Sequence, residues 1–240
     1  MKMVRQAIFL RPVFQALARL LRRIVRYIDP FGRTSYAQEG EDIVLERFFT
    51  GQQAGFYVDV GAHHPLRFSN TYLFYLRGWR GVNIDAMPGS MEVFRRLRPR
   101  DINVESAVAG KEGQFTYYVF REKALNTCDS TLAEQYVEAG HAIISRLQMK
   151  ACPLVDLLSE YVPEGTSIDF LSVDVEGFDL DVLRSNDWQV FRPKVVITEE
   201  LRSPAGAEDS SVRDFLISMG YRVFARTFNS VFYVANEEAV

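Results

Sequence analysis

The segment IDFLSVDVEGFDLDVL, residues 168–183, decides the fold class. It opens with an apolar run that ends in Asp174, and a helical pattern follows from about residue 178. Strands buried on both faces of a parallel sheet have such continuous apolar runs. An apolar run that ends in acid recurs in GFYVDV (55–60) and PKVVITEE (193–200). Together the three runs indicate an α/β domain with a parallel sheet.

Four more strands are predicted on either side of these runs: GVNIDA (81–86), INVESAVA (102–109), YRVFART (221–227) and SVFYVA (230–235). Helical patterns lie at 68–77, 88–97, 178–186 and 209–219. Only Phe228 and Asn229 separate the last two strands, so these strands should form an antiparallel hairpin. We therefore expect one domain over residues 31–240, with a seven-stranded, mostly parallel sheet, an antiparallel last strand and helices on both faces.

A segment of about residues 110–152 interrupts this alternation. It contains the strand-like QFTYYVF (114–120) and the helical pattern AEQYVEAGHAIISRL (133–147). Insertions of this kind on a doubly wound sheet often cover a ligand. We expect this one to cover the substrate.

Composition excludes several classes of protein. Of the 240 residues, 48% are hydrophobic and 25% are charged, which is ordinary for a globular domain and unlike a disordered chain. Residues 1–28 carry seven Lys/Arg and no acid, which leaves 21 basic against 31 acidic residues in the rest, so nucleic-acid binding is not expected. Cys128 and Cys152 form neither a disulfide framework nor a zinc pattern, which fits a reducing cytoplasm.

The basic N-terminus predicts an amphipathic helix within residues 1–30. From Leu17 onward, apolar residues occupy one face and arginines another. The arginines interrupt the segment too often for a membrane span, and no signal-peptide cleavage site is evident. Two interpretations stay open: packing on its own domain or on a second copy in a homo-oligomer, or peripheral contact of residues 1–28 with anionic lipid on the inner face of the membrane.

The strand ends carry the candidate binding residues, because ligands of open α/β sheets bind beyond the carboxyl ends of strands. Asp59 ends the first strand, and Gly61 allows a sharp turn after it. A GxGxxG fingerprint is missing, which argues against a dinucleotide and an oxidoreductase that uses NAD. Asp85 suits the two hydroxyls of a ribose, although alone this signal is weak. Ser106 with Ala107 could border an adenine, but ordinary strand packing explains this pair equally well.

Carboxylates crowd the ends of two other strands: Asp174, Glu176 and Asp179 in DVEGFD, and Glu199 and Glu200 in TEE. In a closed site such groups repel each other unless a cation, a basic partner or a shared proton compensates. Magnesium is one such cation.

Four segments resemble the FkbM-type family of S-adenosylmethionine-dependent methyltransferases: SYAQEGEDIVLERFF (35–49), FYVDVGAHHP (56–65), SNTYLFY with GWRGVNIDAMP (69–88) and IDFLSVDVEGFDLDVL. The resemblance implies a Rossmann-like class I fold with S-adenosylmethionine as cofactor. It implies that Asp59 and Gly61 line the methionine and ribose end, that Asp85 binds the ribose, and that Ser106 and Ala107 line the adenine. The residues implied to form a lid over the cofactor are Gln38, Glu39 and Asp42. His63, His64 and Pro65 stand where many class I enzymes carry further glycines.

The chemistry that fits is O-methylation of a sugar hydroxyl on a surface glycan or a glycosylated metabolite. We hypothesise that Asp174, Glu199 and Glu200 hold Mg²⁺, and that His63, His64 or Glu176 is the base. The alternative is that the glutamates pair with Arg192 or Arg202 and that no metal is used. Four aromatic residues of the insertion are candidates for stacking on a sugar or for the core: Tyr117, Tyr118, Phe120 and Tyr136.

Two other functions compete with this interpretation. Asp179-Leu180-Asp181 spells the DxD of a glycosyltransferase, but in a helix the two acids point about 200° apart. A non-catalytic membrane module would bind lipid through its basic helix and would bind no cofactor.

Overall fold

The computed structural model describes residues 31–122, 125–200 and 211–238. The chain divides into two units, residues 1–34 and 35–240, and every element below belongs to the second. The N-terminal helix predicted within residues 1–30 lies outside the described residues. None of the helices in the described part of the chain has the length and apolar character to cross a bilayer.

A seven-stranded sheet forms the centre of the domain, with the order β3-β2-β1-β7-β8-β10-β9. Its strands are β1 (Phe56–Val60), β2 (Arg80–Asp85), β3 (Ile102–Glu105), β7 (Phe170–Val173), β8 (Val195–Glu199), β9 (Tyr221–Arg226) and β10 (Ser230–Ala235). The first five pair in parallel, whereas β10 pairs antiparallel with both β8 and β9. The predicted mostly parallel sheet with its terminal hairpin is confirmed.

Helices connect these strands: α1 (Glu41–Phe48), α2 (Tyr72–Leu76), α3 (Ser90–Leu97), α4 (Ser130–Glu138), α5 (Leu154–Tyr161), α6 (Asp179–Arg184) and α7 (Ser211–Ser218). Alternate residues of a strand point to opposite faces, so Val58 and Val60 belong to one apolar cluster and Tyr57 to another. Both clusters are buried. The sheet is therefore covered on both faces, which explains the continuous apolar runs in its sequence.

The insertion forms a second sheet of three strands, in the order β4-β6-β5. These strands are β4 (Ala107–Val108), β5 (Gly113–Phe120) and β6 (Ile143–Cys152). The predicted strand over 102–109 divides at Ser106, because β3 belongs to the main sheet and β4 to the second.

The helix predicted over 133–147 is wrong beyond Glu138. Helix α4 covers only the first part of that pattern. Gly140 then takes a left-handed conformation, with φ 93°. Beyond it, strand β6 pairs antiparallel with β5 from Ile143 to Ala151. The apolar spacing of 133–147 resembles a helix, but the glycine permits a turn and pairing with β5 favours a strand.

Candidate functional site

A cavity of about 730 Å³ lies at the carboxyl ends of β1, β2, β7 and β8. The insertion contributes to its wall through residues of β5, α4 and the segment between them. Of the predicted site residues, those that line it are Gln38, Gly61, His63, His64, Asp85, Ser106, Ala107, Asp174, Glu176 and Glu199. Residues brought together from strands that are distant in sequence thus share one wall.

The turn after β1 needs a glycine. Gly61 has φ 83°, and a Cβ on it would lie 1.7 Å from the carbonyl oxygen of Asp174. The N–H groups of Gly61 and Ala62 both donate to the carbonyl of Ile84 at the end of β2. The turn is therefore packed against the ends of both neighbouring strands, and a side chain would force them apart.

Asp85, the last residue of β2, is held by the backbone. Its Oδ2 accepts the N–H of His63 at 2.9 Å, and its Oδ1 accepts the N–H of Met87 at 2.8 Å. Burial raises the pKa of Asp85, while these hydrogen bonds act in the opposite direction. Since a carboxylate offers about four acceptor positions, each oxygen retains capacity for a ligand hydroxyl.

Ser106 and Ala107 follow β3 and border the same cavity. The N–H of Ser106 donates to the carbonyl of Asp85 at 3.0 Å, and its Oγ donates to the carbonyl of Ala107 at 3.0 Å. These bonds fix the β3–β4 junction beside Asp85.

The hydrogen bonds that His64 accepts disfavour a role for it as the base. Its Nδ1 accepts the N–H groups of Leu66 at 3.1 Å and Arg67 at 3.2 Å. Burial lowers the pKa of His64, and the neighbouring His63 and Arg67 lower it further. The neutral ring then carries its hydrogen on Nε2, so neither ring nitrogen is free to accept a proton. His63 has a left-handed φ of 49° and lines the cavity beside it.

Three carboxylates converge where β7 and β8 end. Asp174, Glu176 and Glu199 each offer an oxygen within 4.8 Å of the others. Asp174 lines the cavity and is exposed. The carboxyl groups of Asp174 and Glu199 hydrogen-bond to each other, and burial, then mutual repulsion, raises the pKa of Glu199. The two carboxyl groups therefore repel each other where both are ionised.

Glu176 is clamped by the insertion. Tyr136 of α4 donates to its Oε2 at 2.7 Å, and Thr127 Oγ1 donates to its carbonyl oxygen at 2.7 Å. Glu176 has φ 50° and Gly177 has φ 96°, so two consecutive residues are left-handed. Burial, with a contribution from Asp174, raises the pKa of Glu176 to about 7.

The aromatic residues of the insertion have different roles. Tyr117 lines the cavity, whereas Phe120 is fully buried and packs edge-on against Tyr136. Tyr118 lies beside Arg146 and does not line the cavity. The clamp by Tyr136 and Thr127 could not be read from the sequence, because it depends on where the insertion folds.

Several predicted residues lie elsewhere. Glu200 accepts hydrogen bonds from the hydroxyl groups of Tyr233 and Thr198. It points away from Glu199, because adjacent strand residues point to opposite faces. Glu176 lies beside Asp174 and Glu199 instead. Asp59 is buried and accepts a hydrogen bond of 2.8 Å from Thr71 instead of facing the cavity.

Two of the three implied lid residues also face the protein. Asp42 accepts bonds from Ser35 at 2.6 Å and from the N–H of Tyr36 at 2.7 Å, and Glu39 accepts the N–H of Asn229 at 2.9 Å. Only Gln38 of the three lines the cavity. Their carboxylates fix the segment before α1.

Neither of the two arginines considered as partners of Glu199 and Glu200 is seen beside them in the described residues. Arg192 pairs with Glu237 on the surface, and Arg202 lies outside the described residues. Asp179 and Asp181 both belong to the short helix α6, and neither lines the cavity. The DxD therefore does not form part of this site.

Solved structures similar to this chain are methyltransferases. A TehB-like S-adenosylmethionine-dependent methyltransferase from Corynebacterium glutamicum is 10% identical, with 92% of this chain and 99% of that chain covered and a TM-score of 0.40. A putative caffeoyl-CoA O-methyltransferase from Staphylococcus aureus is 8% identical, with 95% and 97% covered and a TM-score of 0.45. An O-methyltransferase from Bacillus cereus is 12% identical, with 91% and 89% covered and a TM-score of 0.42. Likenesses this weak assign no activity.

A search of curated proteins finds no match to the chain. The family comparison is decisive: the methyltransferase FkbM domain matches residues 59–223. That range starts in β1, ends in β9 and includes Asp85, the carboxylate group and the whole insertion. The chain belongs to the FkbM methyltransferase domain family.

Proposed function

We propose that this protein transfers the methyl group of S-adenosylmethionine to a sugar hydroxyl of a glycan or glycosylated metabolite. The observation that carries the proposal is one cavity that joins Asp85 to the carboxylates of Asp174, Glu176 and Glu199. The first residue suits a nucleoside, and the carboxylates suit an acceptor that must lose a proton.

The residues at the sheet edge fit the methyl donor. Asp85 has acceptor capacity for the ribose hydroxyls, and Ser106 and Ala107 lie next to it where the adenine would rest. The cavity volume of about 730 Å³ is within the range of small-molecule sites. The donor supplies a methyl group activated by a sulfonium. The protein supplies its orientation toward the acceptor, which is the main catalytic contribution in a displacement of this kind.

Glu176 is the base in this proposal. An alcohol that accepts a methyl group releases its proton, and a positioned carboxylate can take it. Glu176 faces the cavity, and Tyr136 and Thr127 fix both its side chain and its backbone. His64 is the weaker candidate, since its Nδ1 already accepts two N–H groups.

The proposal includes a divalent cation. Carboxylate oxygens are the ligands that magnesium prefers, and three of them lie within 4.8 Å of one another. Repulsion from Asp174 contributes to the raised pKa of Glu199, and a bound cation would relieve that repulsion. Asp174 and Glu199 would hold the ion, and Glu176, which lies beside them, would stay uncoordinated as the base. A bound cation would lower the pKa of an acceptor hydroxyl.

The test has two stages. Calorimetric titration with S-adenosylhomocysteine, with and without Mg²⁺, measures cofactor binding. A screen of sugar and glycan acceptors with radiolabelled donor then measures transfer, with amines and carboxylic acids as rival acceptors. Binding followed by transfer to a hydroxyl supports the proposal. Absence of binding contradicts the cofactor, and transfer only to amines or acids contradicts the acceptor class.

A further inference from the structure

One surface of this protein is basic, although the chain from residue 29 onward carries 21 basic against 31 acidic residues. It lies where α2 and α3 end, next to the starts of β2 and β3. The exposed residues that form this surface, which we call the basic end, are Leu76, Arg80, Arg95, Arg96, Leu97 and Arg100. The charge of this surface is thus opposite to that of the domain as a whole.

The ends of α2 and α3 are packed against each other. Arg98, directly after α3, is fully buried and donates to Oγ1 of Thr71 at 3.0 Å. The guanidinium of Arg100 lies 4.1 Å from the centre of the Tyr75 ring and donates to the Tyr75 carbonyl oxygen. The exposed residues that follow Tyr75 and those around Arg98 therefore belong to one continuous surface.

The starts of β2 and β3 join the same surface. Val82 of β2 lies opposite Ile102 of β3 in parallel register. Arg80 and Arg100 each precede these partners by two positions, and the N–H of Gly81 donates to Asp101 Oδ1 at 3.1 Å. The register therefore brings Arg80 and Arg100 together.

Few acidic groups balance these arginines. Residues 72–80 and 93–100 contain no Asp or Glu. In α3 the acid is Glu92, in the first turn. The next acid, Asp101, is buried in an ion pair with Arg98. Within the described residues, the arginines of the basic end that form no ion pair are Arg80, Arg95, Arg96 and Arg100.

Two leucines are exposed among the arginines. Leu76 is 48% exposed and Leu97 is 38% exposed, and each is the last residue of its helix. A surface that binds an anionic bilayer combines basic side chains for the headgroups with apolar side chains that enter the acyl boundary. A polyanion without an apolar layer would leave both leucines in water. The combination therefore favours a bilayer over a nucleic acid.

The basic end lies at the opposite edge of the sheet from the candidate site. Arg80 begins β2 and Asp85 ends it, so about 17 Å of strand separates them. No residue of the basic end lines the cavity. Contact with a bilayer at this end would therefore leave the cavity uncovered.

We propose that the basic end binds the surface of an anionic lipid bilayer. The arginines meet the phosphate groups, and Leu76 and Leu97 enter the boundary of the acyl chains. This inference is independent of the proposed function, because it uses no residue of the cavity.

The test measures co-sedimentation of the full chain with vesicles of phosphatidylcholine, with and without phosphatidylglycerol. The wild-type protein should prefer the anionic vesicles. A basic residue at an anionic surface contributes about fivefold in affinity. Combining Arg80→Gln, Arg95→Gln and Arg96→Gln should therefore weaken binding to the anionic vesicles about 100-fold.

The leucines give a second measurement that separates lipid from other polyanions. Leu76→Ser and Leu97→Ser should each weaken binding to the anionic vesicles about fivefold, because less apolar surface is buried. Salt screens the arginines but not the apolar contact, so the effect of the leucine changes should persist as salt is raised. The same leucine variants should bind heparin as the wild type does.

A matched control removes the same charge from another surface. Lys111→Gln, Arg146→Gln and Lys150→Gln change exposed residues of the insertion, and none of these residues lines the cavity. This combination should stay within about twofold of the wild type, because its residues lie away from the bilayer. Residues 1–28, which also carry seven Lys/Arg, are the same in every variant. Thermal unfolding of each variant checks that it folds.

Three outcomes would overturn the inference. In the first, the wild-type protein does not prefer anionic vesicles. In the second, the arginine combination and its control weaken vesicle binding equally, which reduces the effect to net charge. In the third, the leucine variants bind vesicles as the wild type does while the arginine combination loses both vesicles and heparin, which assigns the surface to a polyanion. None of these outcomes bears on methyl transfer.

Discussion

Gly61 and Asp174 lie so close that no side chain fits between them. A Cβ on Gly61 would be 1.7 Å from the carbonyl oxygen of Asp174, on a backbone with φ 83°. The segment after β7, which carries Asp174 and Glu176, thus packs directly on the turn that follows β1.

Gly61→Ala should lower the free energy of unfolding by more than about 3 kcal/mol, because the clash of the new Cβ with Asp174 adds to the strain of a left-handed backbone. Gly89→Ala is the matched control: Gly89 has φ 80°, and a Cβ there would meet nothing within 4 Å. That control should cost about 1–2 kcal/mol, from strain alone. Chemical denaturation measures both. Equal losses in the two variants would show that the contact with Asp174 is unimportant.

Asp85→Asn should weaken S-adenosylhomocysteine about 10- to 100-fold, since an amide offers one acceptor oxygen where the carboxylate offers two. The two backbone N–H groups of His63 and Met87 would also compete for that oxygen. Calorimetry at constant pH checks this prediction. A matched Asp156→Asn, on α5 and away from the cavity, should leave the affinity unchanged.

The neighbouring glutamates at the end of β8 give a sharp test of the cation. Glu199→Gln should abolish Mn²⁺ binding, because it removes one of the three converging carboxylates. Glu200→Gln should retain it, because Glu200 bonds to Tyr233 and Thr198. Electron paramagnetic resonance of free Mn²⁺ measures the difference. Mn²⁺ binding that both variants retain would exclude Glu199 as a ligand.

Tyr136→Phe should slow methyl transfer about tenfold, because Glu176 loses the donor that orients its carboxylate. The ring still packs against Phe120, and the affinity for S-adenosylhomocysteine should not change. Tyr118→Phe, on the outer part of the insertion, is the control and should transfer at the wild-type rate. Single-turnover assays on an acceptor from the screen measure both. A wild-type rate in Tyr136→Phe would mean that Glu176 needs no such support.

Cys128 should react slowly with alkylating agents and should be protected by ligand. Burial raises the pKa of its thiol from 9.0 to about 11, so at pH 8 it has about 100-fold less thiolate than an unshifted thiol. The rate should rise about tenfold per pH unit up to that pKa. Because Cys128 lines the cavity, S-adenosylhomocysteine should slow the reaction further. Iodoacetamide labelling of a Cys152→Ser variant, followed by mass spectrometry, tests this; fast labelling at pH 8 would contradict the burial.

The sequence predicts best where one local pattern decides the structure. Apolar runs ending in acid identify β1, β7 and β8, and the three residues between β9 and β10 allow only a hairpin. The sequence does not show which of Glu199 and Glu200 faces the cavity, because the direction of each side chain depends on the pleat at the end of β8. The role of Tyr136 depends on a contact with Glu176 across 40 positions of the chain.

Local patterns also mislead where tertiary structure supplies the partner. The family pattern implies that Asp59 faces the cofactor, but Thr71 is close enough to bind it inside the domain. The helical spacing of residues 133–147 holds only as far as Glu138, because β5 offers a strand partner to the residues after it.

The second sheet has a consequence for how substrate preference can change. Residues 107–152 form this sheet and α4 as one continuous stretch, which also carries the clamp on Glu176. The nucleoside positions and the β1 loop come from outside that stretch, apart from Ala107. Recombination at its two ends would exchange this part of the cavity wall in a single event and leave Asp85, Asp174, Glu176 and Glu199 in place. Under the proposed function, a new acceptor preference would then need one exchanged segment and no change in Asp85 or Glu176.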